Sequence, residues 1–128
     1  MEIMKDGKIT GLTTEELVDF LSCISTAIAY WAQSVDIDDA NYAKSLAEDL
    51  TLEEGWEAAL RDDHKLVVSY YDQDGDEDTC TAELDMNNII DGFNSALSNG
   101  WDGSMDTLDD EVADMIVQYA LFEDSIYG

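Results

Sequence analysis

The segment from residue 66 to residue 84 reads LVVSYYDQDGDEDTCTAEL, and it decides the class of fold that the chain can adopt. Apolar and polar side chains alternate in both halves of this segment, and an acidic turn separates them. Such alternation on either side of a turn is typical of a β-hairpin, because successive side chains of a strand point to opposite faces of a sheet. We therefore predict an antiparallel hairpin over residues 65–85, with a short further strand at residues 33–37.

Helical patterns surround this hairpin on both sides. Apolar residues recur at helical spacing between residues 17 and 31, and again at Ile89, Ile90, Phe93 and Leu97, before Asn99-Gly100 ends the second pattern. The predicted N-terminal caps of the other helices are Thr13 with Glu16, Asp38 or Asp39, Thr51 with Glu54, and Asp106 or Thr107. The fold class is therefore α+β: a small antiparallel sheet packed by four or five helices. We expect one acidic globular domain over residues 1–128, with residues 1–12 loosely ordered.

The charge of the chain restricts its partners. Among 128 residues, 31 are Asp or Glu and five are Lys or Arg, which gives a formal net charge of -26. Self-repulsion on this scale disfavours a compact state, whereas solubility needs a net charge of only about 2 to 8. An anionic membrane or a nucleic-acid backbone would repel the chain, so neither is an expected direct partner. We expect a basic protein surface or a cation instead.

Several classes of function find little support in the sequence. His64 is the only histidine, and we find no phosphate-binding glycine-rich loop, no Cys/His metal spacing and no nucleophile elbow. Cys23 and Cys80 fall in apolar patterns and are expected to be small buried hydrophobic residues rather than a disulfide. No apolar run could span a bilayer, and the N-terminus lacks a signal-peptide core. We therefore expect a cytoplasmic protein that is not an enzyme and needs no cofactor.

Acidic residues occur where helix physics disfavours them. Asp106, Asp110 and Asp114 fall four residues apart in the predicted last helix, and each like-charge step costs about 0.2–0.5 kcal/mol. Each step advances about 6 Å along the helix, which is comparable to the spacing of phosphates along a nucleic-acid strand. The sequence therefore predicts a surface that imitates a phosphate backbone. Trp101, in a glycine-flanked loop, fits an exposed anchor and core packing equally, and both stay open. The predicted partner-binding residues are Asp72, Asp74, Asp76, Glu77, Asp78, Trp101, Asp102, Asp106, Asp109, Asp110 and Asp114.

The acidic turn also has features of an EF-hand calcium loop. With Asp72 at the first loop position, Asp74, Asp76 and Glu83 match the third, fifth and twelfth positions. The sixth position requires glycine but holds Glu77, and strand-like residues follow instead of a helix. We therefore assign no metal site, and a calcium-binding or other acidic interaction module is the alternative function.

Two parts of the chain resemble known proteins. The residues ADMIVQYALF at 113–122 and IYG at 126–128, with the Tyr30-Trp31 pair and the helix–hairpin–helix order over 51–97, resemble small acidic proteins of phages and mobile elements. Glu123 stands where that resemblance would place glycine. The residues NIIDGFNSALSNGW at 88–101 are similar to a helix and loop of a phage-derived anti-CRISPR inhibitor of Cas9, which occupies a basic site meant for DNA. These resemblances imply an α+β topology and a binding surface near Asp102, Asp106, Asp109 and Asp110.

Charge and resemblance together lead to one expected function. The protein should inhibit a host defence protein, either a CRISPR effector or a restriction enzyme, by presenting carboxylates to its Lys/Arg-lined nucleic-acid groove. It would act in the cytoplasm of a bacterial host, and its oligomeric state is left open.

The balance of charge and apolar content predicts how stability responds to salt. The hydrophobic content of 45% should keep the protein folded in dilute buffer, and screening of self-repulsion should raise its melting temperature as NaCl is added. Thermal melts followed by circular dichroism from dilute buffer to molar NaCl will measure this. A chain that is unfolded until molar salt is present would instead be a halophilic protein.

Overall fold

The computed structural model describes residues 1–71 and 79–124, and within these ranges the chain forms an α+β fold. Within the described residues the chain forms two small antiparallel sheets and five α-helices, so the expected fold class is confirmed. The strands are β1 Glu2–Ile3, β2 Ile9–Gly11, β3 Ala32–Ile37, β4 Leu66–Tyr71 and β5 Thr79–Leu84. The helices are α1 Thr14–Ala27, α2 Ala40–Ser45, α3 Leu52–Arg61, α4 Met86–Ser98 and α5 Asp110–Phe122, with a 3-10 turn at Met105–Thr107. None of the helices in the described ranges is long and apolar enough to cross a membrane.

The larger sheet has the order β3-β4-β5, and both of its strand pairs are antiparallel. Val68 of β4 lies opposite Val35 of β3 on one side and Ala82 of β5 on the other. Both the predicted hairpin and the additional strand are therefore confirmed. Leu66, Val68 and Leu84 are fully buried, so one face of this sheet covers the hydrophobic core.

Helix α1 lies at the centre of the helical layer, because it packs against both α3 and α5. Its buried stripe contains Leu17, Phe20, Leu21 and Ile24, all fully buried. The ring of Phe20 meets that of Phe93 on α4 edge to face, with centroids 5.1 Å apart. Burying each such side chain contributes about 1.5–3 kcal/mol, so α1 anchors the fold.

The predicted helix starts are correct for the first three helices. Thr13 and Thr51 each form a complete capping box with the glutamate three residues later, and Asp39 caps α2. Helix α4 ends at the expected Asn99. Both cysteines are free, as expected, but they are half-buried rather than buried.

The N-terminal residues differ from the expectation of loose order. Strands β1 and β2 pair, and the side chain of Ile9 is only 2% exposed. The backbone N–H of Ile9 donates to Asn94 Oδ1 at 2.7 Å, and Asn94 Nδ2 donates to the Ile9 carbonyl at 2.9 Å. A side chain 85 residues away therefore fixes this segment, which no local pattern could indicate.

The last helix begins later than predicted, because a different residue caps it. Asp109 Oδ1 accepts the backbone N–H of Val112 at 2.9 Å, so α5 starts at Asp110 rather than after Asp106 or Thr107. Asp106 belongs to the preceding 3-10 turn, whose start Ser104 caps. The prediction that Asp106, Asp110 and Asp114 form a ladder on one helix is therefore wrong.

Two buried glycines allow a matched test of helix packing. A Cβ on Gly92 of α4 would collide with the backbone carbonyl of Ile116 on α5, whereas a Cβ on Gly55 of α3 would meet Leu46 Cδ1 at an ordinary 3.5 Å. We expect Gly92→Ala to lower the free energy of unfolding by about 1–3 kcal/mol through overpacking. Gly55→Ala should raise it by about 0.5–1 kcal/mol. Urea unfolding will measure both, and a stable Gly92→Ala protein would contradict the close approach of α4 and α5.

Candidate functional site

The structure separates the predicted site residues into several groups. Asp72, Asp74, Asp76, Glu77 and Asp78 lie outside the described residues, as does most of the candidate calcium loop. Asp102, Asp106, Asp109 and Asp110 are exposed, as a binding surface requires. Trp101 and Asp114 are not, and both predictions need correction.

Asp114 belongs to an internal hydrogen-bond network. Its Oδ1 accepts from Trp31 Nε1 at 2.8 Å and from Gln118 Nε2 at 2.9 Å, and its Oδ2 accepts from the Tyr30 hydroxyl. Gln118 is itself 1% exposed. Asp114 therefore ties α5 to the segment after α1 and is not available to imitate a phosphate.

Trp101 packs in the core and is not an exposed anchor. Its side chain is 8% exposed, and its ring lies 5.6 Å from that of Phe93, measured between centroids. Trp101 Nε1 donates to Thr107 Oγ1 at 3.1 Å, and the Thr107 hydroxyl donates to Asp102 Oδ1 at 2.6 Å. The hydrogen bonds from Thr107 and from the Ser104 N–H hold the pKa of Asp102 below its usual range. Through Thr107, Trp101 thus holds the ionised carboxylate of Asp102 in place at the surface.

Three carboxylates converge on the exposed side of α1, around Cys23. Burial raises the pKa of the Cys23 thiol, and the negative charges of Asp110, Asp19 and Asp109 raise it further. Thr26 Oγ1 lies 3.5 Å from Asp110 Oδ1, which places the start of α5 directly beside α1. Asp109 and Asp110 were predicted as site residues, and the structure joins Asp19 to them.

A groove of about 720 Å³ continues this acidic surface on the other flank of α1. Glu15 lines it from α1, one helical turn before Asp19, and Glu53 lines it from the first turn of α3. We define the acidic strip as Glu53, Glu15, Asp19, Asp109 and Asp110. It crosses three helices, with α1 in the middle.

No described cation compensates the strip. The ion pairs found among residues 1–71 and 79–124 involve Glu16, Glu57, Asp38 and Glu83, and none of these belongs to the strip. Glu53 is half-buried, and the other four strip residues are exposed. None of the strip carboxylates is therefore paired with a cation in the described part of the chain.

The sequence carried a signal for the α1 part of this surface. Glu15 and Asp19 are spaced four residues apart on the side opposite the buried stripe, so they form a like-charge step of the kind sought in the last helix. Their proximity to α3 and α5 depends on tertiary packing and could not be read from spacing.

Other chemistry finds little support in the described parts of the chain. No group of three or more His, Cys, Asp or Glu side chains there could hold a metal ion. His64 Nδ1 lies 3.1 Å from Asp38 Oδ1, and its ring stacks on Tyr42 with centroids 4.0 Å apart. These contacts give the histidine a structural role beside α2.

Comparisons with protein-family models, with curated proteins and with solved structures find no match to this chain. The resemblance to acidic phage proteins and to an anti-CRISPR inhibitor therefore stays a prediction.

The Asp114 network predicts a distinctive tyrosine titration. Burial and the hydrogen bond to Asp114 raise the pKa of Tyr30 to about 12, so Asp114→Asn should lower it toward the ordinary value of about 10. The hydrogen bond to Asp62 raises the pKa of Tyr42 to about 12, and this should be unaffected. Ultraviolet absorbance of phenolate will measure both, with Asp62→Asn as the reciprocal control.

Both tyrosines also link stability to pH. Each ionises in the unfolded chain at about pH 10 but in the folded chain only near pH 12, so the neutral form stabilises the fold below pH 10. The free energy of unfolding should therefore fall as pH rises from about 10 to about 12, and less steeply in Asp114→Asn. An unchanged tyrosine titration in Asp114→Asn would contradict the network.

Proposed function

We propose that the protein is a nucleic-acid-mimicking inhibitor, whose acidic strip binds the Lys/Arg-lined nucleic-acid groove of a host defence protein such as a CRISPR effector or a restriction enzyme. The observation that carries this proposal is the position of Asp19, Asp109 and Asp110 on the Cys23 side of α1, where Thr26 Oγ1 lies 3.5 Å from Asp110 Oδ1, without a cation to pair them among the described residues. Asp109 caps α5 and Asp110 lies in its first turn, but neither role requires Asp19 beside them, and like charges repel. A cationic partner would gain directly.

The geometry of the strip suits a groove built for nucleic acid. Glu15 and Asp19 are one helical turn apart, or about 6 Å along the α1 axis, which is of the same order as the spacing of charges along a nucleic-acid strand. Glu53, Glu15, Asp19 and Asp110 stand on helices and Asp109 caps one, so little backbone has to be ordered when the strip binds. Binding then consists of charge pairing and needs no catalysis.

The whole charge of the protein would assist the encounter. A net charge of -26 attracts a basic groove over a long range and speeds association, and added salt screens this attraction. Inhibition should therefore weaken steeply as ionic strength rises.

A pair of double variants tests whether the strip carries binding. Asp19→Lys with Asp110→Lys should weaken inhibition by about 100-fold or more, because each change converts attraction into repulsion. Asp36→Lys with Asp91→Lys alters net charge equally at exposed positions on β3 and α4 and should have a much smaller effect. DNA cleavage by purified CRISPR nucleases and restriction enzymes, titrated with each protein at several salt concentrations, will measure this. Equal losses in both double variants would show that net charge alone acts, and would exclude the strip.

A further inference from the structure

The groove between α1 and α3 differs from the rest of the acidic strip because its floor is apolar. Val18 of α1, Leu50 of the loop before α3 and Ala58 of α3 line it together with Glu15 and Glu53. Leu50 is 36% exposed. Apolar side chains of a partner would cover this floor and remove it from water.

Two further carboxylates at the groove are already used by the fold. Glu54 Oε1 accepts the Thr51 N–H at 3.1 Å in the capping box of α3, and Glu57 Oε1 pairs with Arg61 Nε at 3.1 Å. Glu15 and Glu53 are therefore the carboxylates left to bind a ligand, one on each wall. Between them lies the apolar floor.

We propose that this groove docks a basic amphipathic helix of the partner protein. Two packed helices leave a groove that accepts the ridge of a third helix, and apolar side chains at helical spacing would cover Val18, Leu50 and Ala58. Lys or Arg on the flanks of that helix would pair with Glu15 and Glu53. The proposal rests on the proposed function for the identity of the partner, and on the groove alone for its chemistry.

Charge excludes the other simple occupants. A second copy of this chain would bring another net charge of -26 against the carboxylates of the rim. Nucleic acid would be repelled in the same way. A partner that is cationic but has no apolar face would leave the floor exposed to water.

The test uses two synthetic helical peptides of equal charge and composition. The first places leucines on one face and lysines on the other, and the second has the same residues scrambled so that no apolar face forms. We expect the first to bind the full chain about tenfold more tightly in isothermal titration calorimetry, and to keep more of its affinity at high salt.

Neutral substitutions then locate the binding. Ala58→Gln, which fills the floor with a polar side chain, and Leu50→Ser should each weaken the amphipathic peptide by about tenfold. Ala40→Gln makes the first of these changes at an exposed position of α2 and should have no effect. None of these variants alters the charge, so the scrambled peptide should bind them all equally. Melting temperatures will show whether each variant is folded. If Ala58→Gln fails to fold, Leu50→Ser tests the floor in its place.

The outcomes separate this proposal from the proposed function. Equal affinity for the two peptides, or equal effects of Ala58→Gln and Ala40→Gln, would overturn the proposal that the groove docks an amphipathic helix. In that case, nuclease inhibition that still depends on Asp19 and Asp110 would leave the proposed inhibitory function standing. Selective peptide binding together with an Ala58→Gln protein that inhibits nucleases normally would overturn the assignment of the helix to that partner.

Discussion

A chain with a net charge of -26 lowers its electrostatic free energy by expanding. Burial of its apolar core therefore has to outweigh that repulsion. Helix α1 supplies the middle of this core, where Leu17, Phe20 and Ile24 are fully buried and Phe20 meets Phe93. The opposite side of the same helix carries Glu15 and Asp19. Packing that resists repulsion therefore also fixes the position and direction of the charges on the acidic strip.

Many other carboxylates have structural roles, which weakens a purely compositional argument for mimicry. Asp39, Asp85 and Asp109 cap helices, where a negative charge also favours the helix dipole. Asp62 stands at the C-terminal end of α3, where the dipole disfavours it, but it accepts a hydrogen bond from the Tyr42 hydroxyl at 2.6 Å. Glu123 ends α5 by adopting a left-handed backbone with φ of 60°. Function is better sought where carboxylates have no such role, and Asp19, beyond the first turn of α1, is one of them.

Local signals in the sequence predicted most of the fold, because they depend on residues only a few positions apart. The capping boxes at Thr13 and Thr51 and the alternation from Leu66 to Leu84 are of this kind. The failures all involve distant partners or competing local ones. Asp114 bonds Trp31 across 83 residues, and Asp109 caps the last helix in competition with Asp106. The candidate site was predicted only at Asp109 and Asp110, since its other members come from helices distant in sequence.

Distributed charge and the acidic strip would contribute differently to one binding event. Carboxylates anywhere on the surface add to the long-range field and hence to the association rate, and salt screens that contribution. Residues held on helices, such as Asp19 and Asp110, would instead set the register of the complex and its dissociation rate, since most affinity differences lie in that rate. The apolar floor at Val18 and Ala58 would add a contact that salt does not screen. A protein made only to be acidic would need neither the strip nor the groove, whereas a specific inhibitor needs a fixed register as well as attraction.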